Sequence, residues 1–370
     1  MLMKEKNLTP AGENELFAHV SALIEQSRQQ VAKAVNTAMV YTYYGVGRYI
    51  VEFEQGGEKR AEYGKGVLKR LSERLSTAFG KGWSVDTLEK TRNFYKVYSK
   101  SATVSRKIEN EKSVTVSRIS ETIPETAYPF VLSWNHYLIL MRIDNPQARN
   151  FYEIEAYNQQ WSVRQLQRQV GSSLYERLAL SRNKDEVMRL ANEGQTFEKP
   201  IDIIKNPLVL EFVGLKPDSS YSETDLESAI IDKLQMFLLE MGKGFLFEAR
   251  QKRFTFDEDN FYVDLVFYNR LLQCFVLIDL KIDKLTHQDL GQMQMYVNYY
   301  DRYEKQDFEK PTIGILLCKE KNDALVELTL PKDANIYAQQ YALCLPEKAL
   351  LLQKLNEWTE EFERQKEDRL

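Results

Sequence analysis

The sequence predicts a two-part fold, with an all-helical domain over residues 1–195 and an α/β domain over residues 200–370. Apolar residues recur at helical spacing in the first half, whereas the second half contains short runs that are apolar on both faces, such as CFVLI and IGILLC. Strands of that kind belong to a sheet covered by helices on both sides. The mixture of Gly, Pro and charged residues in ANEGQTFEKPIDIIKNP, around residues 191–207, marks the boundary.

The composition is that of a folded protein. Its 370 residues suffice for two domains, and 43% of them are hydrophobic. No apolar run reaches the length of a membrane span, and MLMKEKNLTP lacks the apolar region of a signal peptide. Cys274, Cys318 and Cys344 have apolar neighbours and no metal-ligand spacing, so we expect small core residues in a reducing compartment. These features predict a cytoplasmic protein without membrane contact.

The formal net charge of −4 is divided unevenly along the chain. Residues 1–195 contain 28 Lys and Arg against 22 Asp and Glu, a balance of +6. Residues 196–370 contain 22 against 32, a balance of −10. This division fits a DNA-contacting module joined to a carboxylate-bearing one. A surplus of six positive charges over 195 residues is also ordinary surface chemistry.

The first half is predicted to consist of amphipathic helices. The first of them spans residues 13–51, with apolar residues at helical spacing at Leu16, Val20, Leu23, Ile24, Val31, Val35 and Met39. The others are predicted at residues 63–79, after Ser84 as N-cap, at residues 132–143, at residues 148–158 and after Trp161. The polar stretch at residues 99–125 lacks a helical period and is predicted to be a loop or a short hairpin.

Two of these helices begin with the same tripeptide. Trp-Ser-Val occurs at residues 83–85 and again at residues 161–163, and a leucine follows each serine by four residues. One interpretation is a pair of helix-turn-helix-like units that contact nucleic acid. The alternative is a pair of capped bundle helices with a tryptophan packed at each start. The first interpretation places the nucleic-acid contacts at Lys90, Arg92, Arg164 and Arg168.

The second half is predicted to alternate between helices and strands. The predicted helices lie at residues 223–240, 287–303 and 347–365. The predicted strands lie at residues 245–254, 261–268, 273–281 and 312–318.

Charged residues inside two apolar strands are the strongest functional signal. Asp264 lies in FYVDLVFY, and Asp279 and Lys281 end CFVLIDLK. A charge is costly to bury, so each needs a partner, a metal ion or a chemical role. Residues i and i+2 of a strand share a face, which places Asp279 beside Lys281. Two acids and a lysine suit Mg²⁺ holding a phosphodiester, although a simple cross-strand ion pair would also explain them.

In order and spacing, these residues resemble the PDDEXK (restriction-endonuclease-like) nuclease superfamily: a helix glutamate, a strand aspartate, Asp-x-Lys and a glutamine-bearing helix. The resemblance is closer to its YhcG-like branch, which joins a helical N-terminal domain to a PDDEXK nuclease domain. It extends from YGVGRYIVE and GWSVDTLEKTRNFYKVYS to FYVDLVFYNRLLQCFVLIDLK and GQMQMYVNYYD. It implies a mixed sheet flanked by helices and a bacterial nuclease.

The resemblance also implies roles for individual residues. Asp264, Asp279 and the carbonyl of Leu280 would ligate Mg²⁺ or Mn²⁺, and Lys281 would polarise the attacking water. Glu227 would support the metal site, although a glutamate at the rim of an apolar helix face, paired with a lysine, is the alternative. Gln292, together with Gln294, would touch the metal-site network or a backbone phosphate as part of the catalytic set, and Arg250 and Gln251 would contact nucleic acid.

Two positions depart from the pattern of the superfamily. Val263 stands in place of the proline before the strand aspartate, and Asp279 stands where many members have glutamate. Neither departure removes an acidic or basic residue from the set. We therefore expect a Mg²⁺-dependent endodeoxyribonuclease with DNA as its partner. The alternatives are a non-catalytic nucleic-acid-binding or assembly protein built on a nuclease fold, and an RNA-directed nuclease. The sequence leaves the oligomeric state open, with a homodimer among the arrangements it allows.

Overall fold

The computed structural model describes residues 10–55, 61–99, 130–180, 184–205, 207–216, 220–256, 258–331, 334–349, 351 and 353. The chain divides into two compact units, Met1–Arg149 and Asn150–Leu370. The predicted loop or hairpin at residues 99–125 and the predicted helix at residues 347–365 lie almost entirely outside the described residues. Among the helices described, none has the length and apolar character needed to cross a bilayer.

The described part of the first unit is helical, as predicted. Its helices are α1 (Pro10–Gln55), α2 (Ala61–Phe79), α3 (Val85–Ser99) and α4 (Trp134–Leu140), and the division between the units falls within α5 (Pro146–Asn158). Ser84 is the predicted N-cap of α3, because its Oγ accepts a hydrogen bond from the Thr87 backbone N–H at 3.2 Å.

An aromatic cluster holds α1, α3 and α4 together. Phe94 of α3 is buried at its centre and lies 5.8 Å from Tyr44, 5.0 Å from Phe130 and 5.3 Å from Trp134, measured between ring centroids. Gly47, one turn after Tyr44, allows α1 to lie close against α3, because a Cβ at this position would lie 2.0 Å from the Thr91 carbonyl oxygen. The helix that follows the first Trp-Ser-Val therefore has a buried face in this core, which both interpretations of the tripeptide allow.

The second unit begins with helices and continues into a mixed sheet. Its helices are α6 (Val163–Gly171), α7 (Leu174–Leu180), α8 (Lys184–Glu193), α9 (Glu223–Asp232), α10 (Leu234–Met241), α11 (His287–Tyr299) and α12 (Asp323–Thr329). Its strands are β1 (Leu208–Val209), β2 (Phe245–Phe256), β3 (Asp259–Asn269), β4 (Cys274–Lys284), β5 (Ile313–Glu320) and β6 (Ile336–Ala342).

The sheet has the strand order β1-β6-β5-β4-β3-β2. The pairs β2–β3 and β3–β4 are antiparallel, whereas β4–β5, β5–β6 and β1–β6 are parallel. Alternate residues of β4 face two separate hydrophobic cores. Ile278 packs with the α9 and α10 side, and Leu277 packs with the α11 side. The predicted α/β domain with helices on both faces of its sheet is confirmed.

Three details differ from the predictions. The helix predicted at residues 223–240 is two helices, because the backbone leaves helical geometry at Lys233 (φ −117°, ψ 28°). Neither Gly nor Pro occurs between residues 223 and 241 to signal that break. The helix predicted at residues 287–303 ends at Tyr299, where a π-helical turn takes over. Cys274 and Cys318 are buried as expected, but Cys344 is exposed in the bend after β6.

A buried ion network joins α6 and α7 to the sheet. Glu240 is fully buried and accepts hydrogen bonds from Arg168 Nη1 at 2.9 Å and Arg177 Nη1 at 2.6 Å. It also accepts the backbone N–H of Val209 at 3.1 Å. Burial by itself would raise the pKa of Glu240, but the cations around it lower that pKa to about 2. Residues 150–195, assigned above to the first domain, therefore share a compact unit with the sheet.

Candidate active site

The candidate active site lies where β3 and β4 separate. Their backbone pairing ends at Leu265 and Ile278, immediately before the charged residues of both strands. Beyond that point the carboxylate of Asp264 replaces a backbone acceptor, because its Oδ2 accepts the Leu280 N–H at 2.7 Å. The N–H and C=O of one strand residue point to the same side of the strand. The Leu280 carbonyl therefore lies on the side of β4 that faces Asp264.

Asp279 and Lys281 project side by side from β4, as the strand period predicts. Asp279 is 3% exposed, and Lys281 Nζ lies 2.9 Å from its Oδ2. This is ion-pair distance without hydrogen-bond geometry, so Asp279 Oδ2 has no hydrogen-bond donor among the described residues. A buried carboxylate oxygen without a hydrogen bond is costly, and a cation beside it lowers that cost; among the described residues that cation is Lys281.

The charges of this site change the pKa values of Asp279 and Lys281. The pKa of Asp279 is raised to about 7: burial is the largest cause, the carboxylate of Asp264 adds to the rise, and Lys281 opposes it. Burial alone would lower the pKa of Lys281. Attraction to Asp279, and more weakly to Glu223 and Asp264, outweighs burial and holds the Lys281 pKa above its usual value. Lys281 is therefore a cation at neutral pH, while Asp279 is poised between its two states.

Gln251 connects the helix acid to the strand acid. Its Nε2 donates to Glu227 Oε2 at 2.5 Å and to Asp264 Oδ1 at 2.9 Å. Gln251 has the left-handed φ of 46°, which is uncommon for a residue other than glycine and directs its side chain out of the regular strand pattern. Glu227 is buried, and its Oε1 lies 2.8 Å from Arg250 Nε. The structure thus brings Glu227, Arg250 and Gln251 to the same site as Asp264.

Two residues of the site were not predicted. Glu223 lies one turn before Glu227 on α9, and its Oε2 is 3.7 Å from Lys281 Nζ. The i, i+4 spacing from Glu227 was the available signal for it. Tyr296 of α11 is buried, and its pKa is raised to about 12, chiefly by burial and then by the charges of Asp279 and Asp264. Its position depends on how α11 packs, which no local pattern records.

The two predicted glutamines of α11 form hydrogen bonds to other residues of the same helix. Gln292 donates a hydrogen bond from Nε2 to the hydroxyl of Tyr296, and thereby contacts a neighbour of the carboxylates. Gln294 donates to Asn298 Oδ1 at 3.1 Å on the exposed side of the same helix. A contact from either glutamine to a phosphate stays a prediction.

The nucleic-acid residues predicted in the helical region have different surroundings. Lys90 pairs with Asp86 at 2.6 Å, and Arg92 pairs with Glu54 at 2.9 Å, both at partly exposed positions. Arg164 is exposed on α6. Arg168 is the exception, because its side chain is only 9% exposed and is held by Glu211 and Glu240. These contacts give Arg168 a structural role in place of the predicted nucleic-acid contact.

The oxygen atoms at this site fit a hard divalent cation. No group of three or more His, Cys, Asp or Glu side chains in the described ranges is arranged to hold a metal ion. Mg²⁺ nevertheless needs only one or two carboxylates, because it keeps several of its waters. Asp264, Asp279 and the Leu280 carbonyl supply that donor set, and Asp279 Oδ2, which is buried beside Lys281 and receives no hydrogen bond, is an oxygen that a metal ion would bind.

Comparison with known proteins gives two family matches and one full-length relative. Residues 201–356 match the YhcG PDDEXK nuclease domain, and residues 19–177 match the DUF1016 N-terminal domain. The Escherichia coli (strain K12) protein named "Putative nuclease YhcG" is 36% identical over 360 residues, covering 94% of each chain.

One solved structure is also similar. The crystal structure of a repair endonuclease from Pyrococcus abyssi aligns with a TM-score of 0.24 and 16% identity, over 36% of this chain and 50% of that chain. The chain thus spans about half the length of that structure. A similarity this low carries no functional information, so the family assignment depends on the sequence matches.

Proposed function

The chain belongs to the YhcG-like family of PDDEXK nucleases, and from that premise we propose that it is a Mg²⁺-dependent endodeoxyribonuclease. The observation that supports the proposal most strongly is the meeting of Asp264, Asp279 and Lys281 where β3 and β4 separate. Mn²⁺ prefers the same oxygen ligands and would serve as a substitute.

The carboxylates of Asp264 and Asp279 and the carbonyl of Leu280 would hold the cation. When bound, Mg²⁺ supplies Lewis-acid stabilisation of phosphate oxygens and makes water a better nucleophile. Asp264 is fixed for this role by the Leu280 N–H and by Gln251, so its two oxygens are oriented before any ligand arrives. Asp279 is fixed by its burial within β4.

Lys281 acts on the reacting phosphate. Its ammonium group lies on the same face of β4 as Asp279 and keeps its proton at neutral pH, because the surrounding carboxylates hold its pKa high. The ammonium group of Lys281 stabilises the negative charge that develops on the phosphorus-bound oxygens, and it orients the attacking water. Glu223, 3.7 Å from Nζ, is a second acid that helps to position the lysine.

The charge distribution favours a nucleic-acid substrate, and we propose that this substrate is DNA. Residues 1–195 carry a surplus of six positive charges, and Arg250, 44% exposed beside Glu227, offers a cation next to the carboxylates. A guanidinium at this position is able to exchange Glu227 for a backbone phosphate. The chemistry of the carboxylates and Lys281 acts on any phosphodiester, so RNA is the alternative substrate that an assay must exclude.

The test is a cleavage panel. Purified protein is incubated with duplex, nicked, branched and single-stranded DNA and with RNA of matched sequence, in Mg²⁺, in Mn²⁺ or in EDTA. We expect cleavage of at least one DNA form with either cation and none in EDTA. Cleavage of RNA alone would contradict the DNA assignment. Cleavage that persists in EDTA would contradict the metal requirement, and binding without cleavage under every condition would make the chain a nucleic-acid-binding protein.

A further inference from the structure

The long helix α1 has an exposed apolar face along most of its length. Its large apolar residues on this face are between 45% and 74% exposed. They are Leu16, Phe17, Val20, Leu23, Ile24, Val31, Val35, Tyr49 and Phe53. At 100° per residue, all nine lie within a sector of about 120° around the helix axis. We propose that this face is a dimer interface, in which α1 pairs antiparallel with α1 of a second copy of the chain.

The exposed face is distinct from the face that α1 uses within its own unit. Val40, Ile50 and Val51 are buried, and Gly47 touches α3. Tyr49 and Phe53 lie on the opposite side of the same turns and are 67% and 59% exposed. A helix that is apolar on two opposite sides is one with a neighbour on each side. The described residues supply a neighbour for only one of these sides.

Gly45 is an independent indication of a close partner. It lies mid-helix within the exposed sector, and a Cβ added there would meet no heavy atom within 4 Å. Nothing in the described packing around it requires a glycine, yet a glycine inside a helix costs about 1 kcal/mol relative to alanine. Close approach of another helix at this point accounts for it.

The chemistry of the face favours a protein partner. Between residues 14 and 40 the sequence contains two acidic residues, Glu15 and Glu25, and two basic residues, Arg28 and Lys33. A helix that lies on an anionic membrane carries an excess of Lys and Arg, and so does a nucleic-acid-binding helix. A balanced helix with a continuous apolar sector is typical of helix–helix pairing.

A second copy fits because the face is complementary to itself. Antiparallel pairing about a two-fold axis between Ala34 and Val35 places Ile24 opposite Gly45, and Val31 opposite Ala38. Near the middle of the pair, large residues of one copy thus meet small residues of the other, and the two-fold axis makes each of these contacts occur twice. At the ends, Leu16 meets Phe53.

The available area is also sufficient. Nine large side chains of about 100 Å² each present roughly 900 Å² per copy, against about 800 Å² per partner in a standard interface.

The first test is the molar mass of the full chain in solution. Light scattering after size exclusion should give twice the chain mass of 43.3 kDa. The double variant Ile24→Glu/Val31→Glu places two charges on the apolar face and should give a monomer. The matched control, Ala22→Glu/Ala32→Glu, adds the same charges to exposed positions outside the sector and should remain a dimer.

A third variant guards against a folding defect. Gly45→Leu adds a bulky side chain at a position where a Cβ meets no heavy atom within 4 Å, and it improves helix propensity. It should weaken the dimer at least tenfold while the thermal unfolding of the monomer stays the same or rises. A monomeric wild type at micromolar concentration would overturn the proposal. Dissociation of the Ala22→Glu/Ala32→Glu control would overturn it too.

Cysteine cross-linking tests the orientation. The variants are built on Cys344→Ser, because Cys344 is the exposed cysteine and Cys274 and Cys318 are buried. In an antiparallel pair, Ala34→Cys lies beside its own copy and should form a disulfide-linked dimer. Two copies of Val20→Cys would lie about 40 Å apart at 1.5 Å per residue and should not cross-link. Efficient linkage of Val20→Cys to itself would overturn the antiparallel arrangement.

Discussion

Gln251 links a helix of the candidate site to a strand of the sheet. It donates to Glu227 on α9 and to Asp264 on β3, and its left-handed backbone conformation makes this double contact sterically available. Asp279 and Lys281 were predictable, because a strand period of two is a local property of the sequence. Gln251 was expected only as a nucleic-acid contact, since its reach to Glu227 depends on how α9 packs beside the sheet.

A shorter side chain at residue 251 should leave Asp264 less well oriented, because it loses the hydrogen bond that Gln251 donates to Asp264. We expect Gln251→Asn to weaken Mn²⁺ affinity about tenfold, because asparagine tolerates the left-handed conformation but cannot span both carboxylates, and partners of metal ligands typically contribute 10–100-fold. Isothermal titration calorimetry measures the change. Gln294→Asn on the exposed side of α11 is the matched control and should bind Mn²⁺ normally. Equal affinities for the two variants would show that Gln251 does not orient Asp264.

Asp279 should destabilise the metal-free protein at neutral pH. Its folded-state pKa is about 7 against 3.8 when unperturbed, so between those values the folded chain binds more protons than the unfolded chain. Stability therefore falls as the pH rises through that interval. In EDTA we expect Asp279→Asn to raise the melting temperature by several degrees at pH 8 and by less at pH 5. Asp283→Asn, exposed on the same strand, is the control, and an equal gain at both pH values would contradict the assignment.

At the scale of the elements, the ion network around Glu240 fixes α6 and α7 to α10. Removing one charge from a buried network typically costs about 3–5 kcal/mol, because its partners stay buried and unpaired. We expect Glu240→Gln to lose stability of that order in urea unfolding at pH 7. Its folded-state pKa is lowered from 4.5 to about 2, so the contribution is complete above pH 4.5 and is lost as the pH falls towards 2. The difference from wild type should shrink over that interval, whereas Glu248→Gln should change little at any pH.

The same network predicts where the α/β unit can be cut. A fragment of residues 150–370 keeps Arg168 and Arg177 beside Glu240, whereas a fragment of residues 200–370 removes both arginines. We expect the longer fragment to unfold cooperatively and the shorter one to be unstable or insoluble. Circular dichroism during heating compares them. A stable, cooperative 200–370 fragment would instead support the domain boundary predicted from sequence near residue 195.

At the scale of the whole molecule, the sequence was sufficient for the fold class but not for the surfaces. Runs that are apolar on both faces predicted the helix-covered sheet, because a strand that is buried on both sides consists almost entirely of apolar residues. The apolar residues of α1 recur just as regularly, at helical spacing, yet Leu16, Leu23 and Val31 are exposed in the structure. Periodicity reports that a face is apolar and does not report whether its partner belongs to the same chain. Arg168 was misassigned for a related reason, since a basic residue on a helix looks the same whether it meets solvent or a buried glutamate.

The central claim is that Asp264, Asp279 and Lys281 form one metal-dependent hydrolytic site, and Lys281→Met tests it most directly. The variant keeps the length and apolar stem of the side chain but removes the ammonium group that contacts Asp279. Cleavage of the preferred DNA is measured beside calorimetric Mn²⁺ titration, with Lys284→Met, exposed at the end of β4, as the control. We predict that Lys281→Met binds Mn²⁺ at least as tightly as wild type but cleaves about a hundredfold more slowly or worse. Cleavage at the wild-type rate would contradict this account of the site.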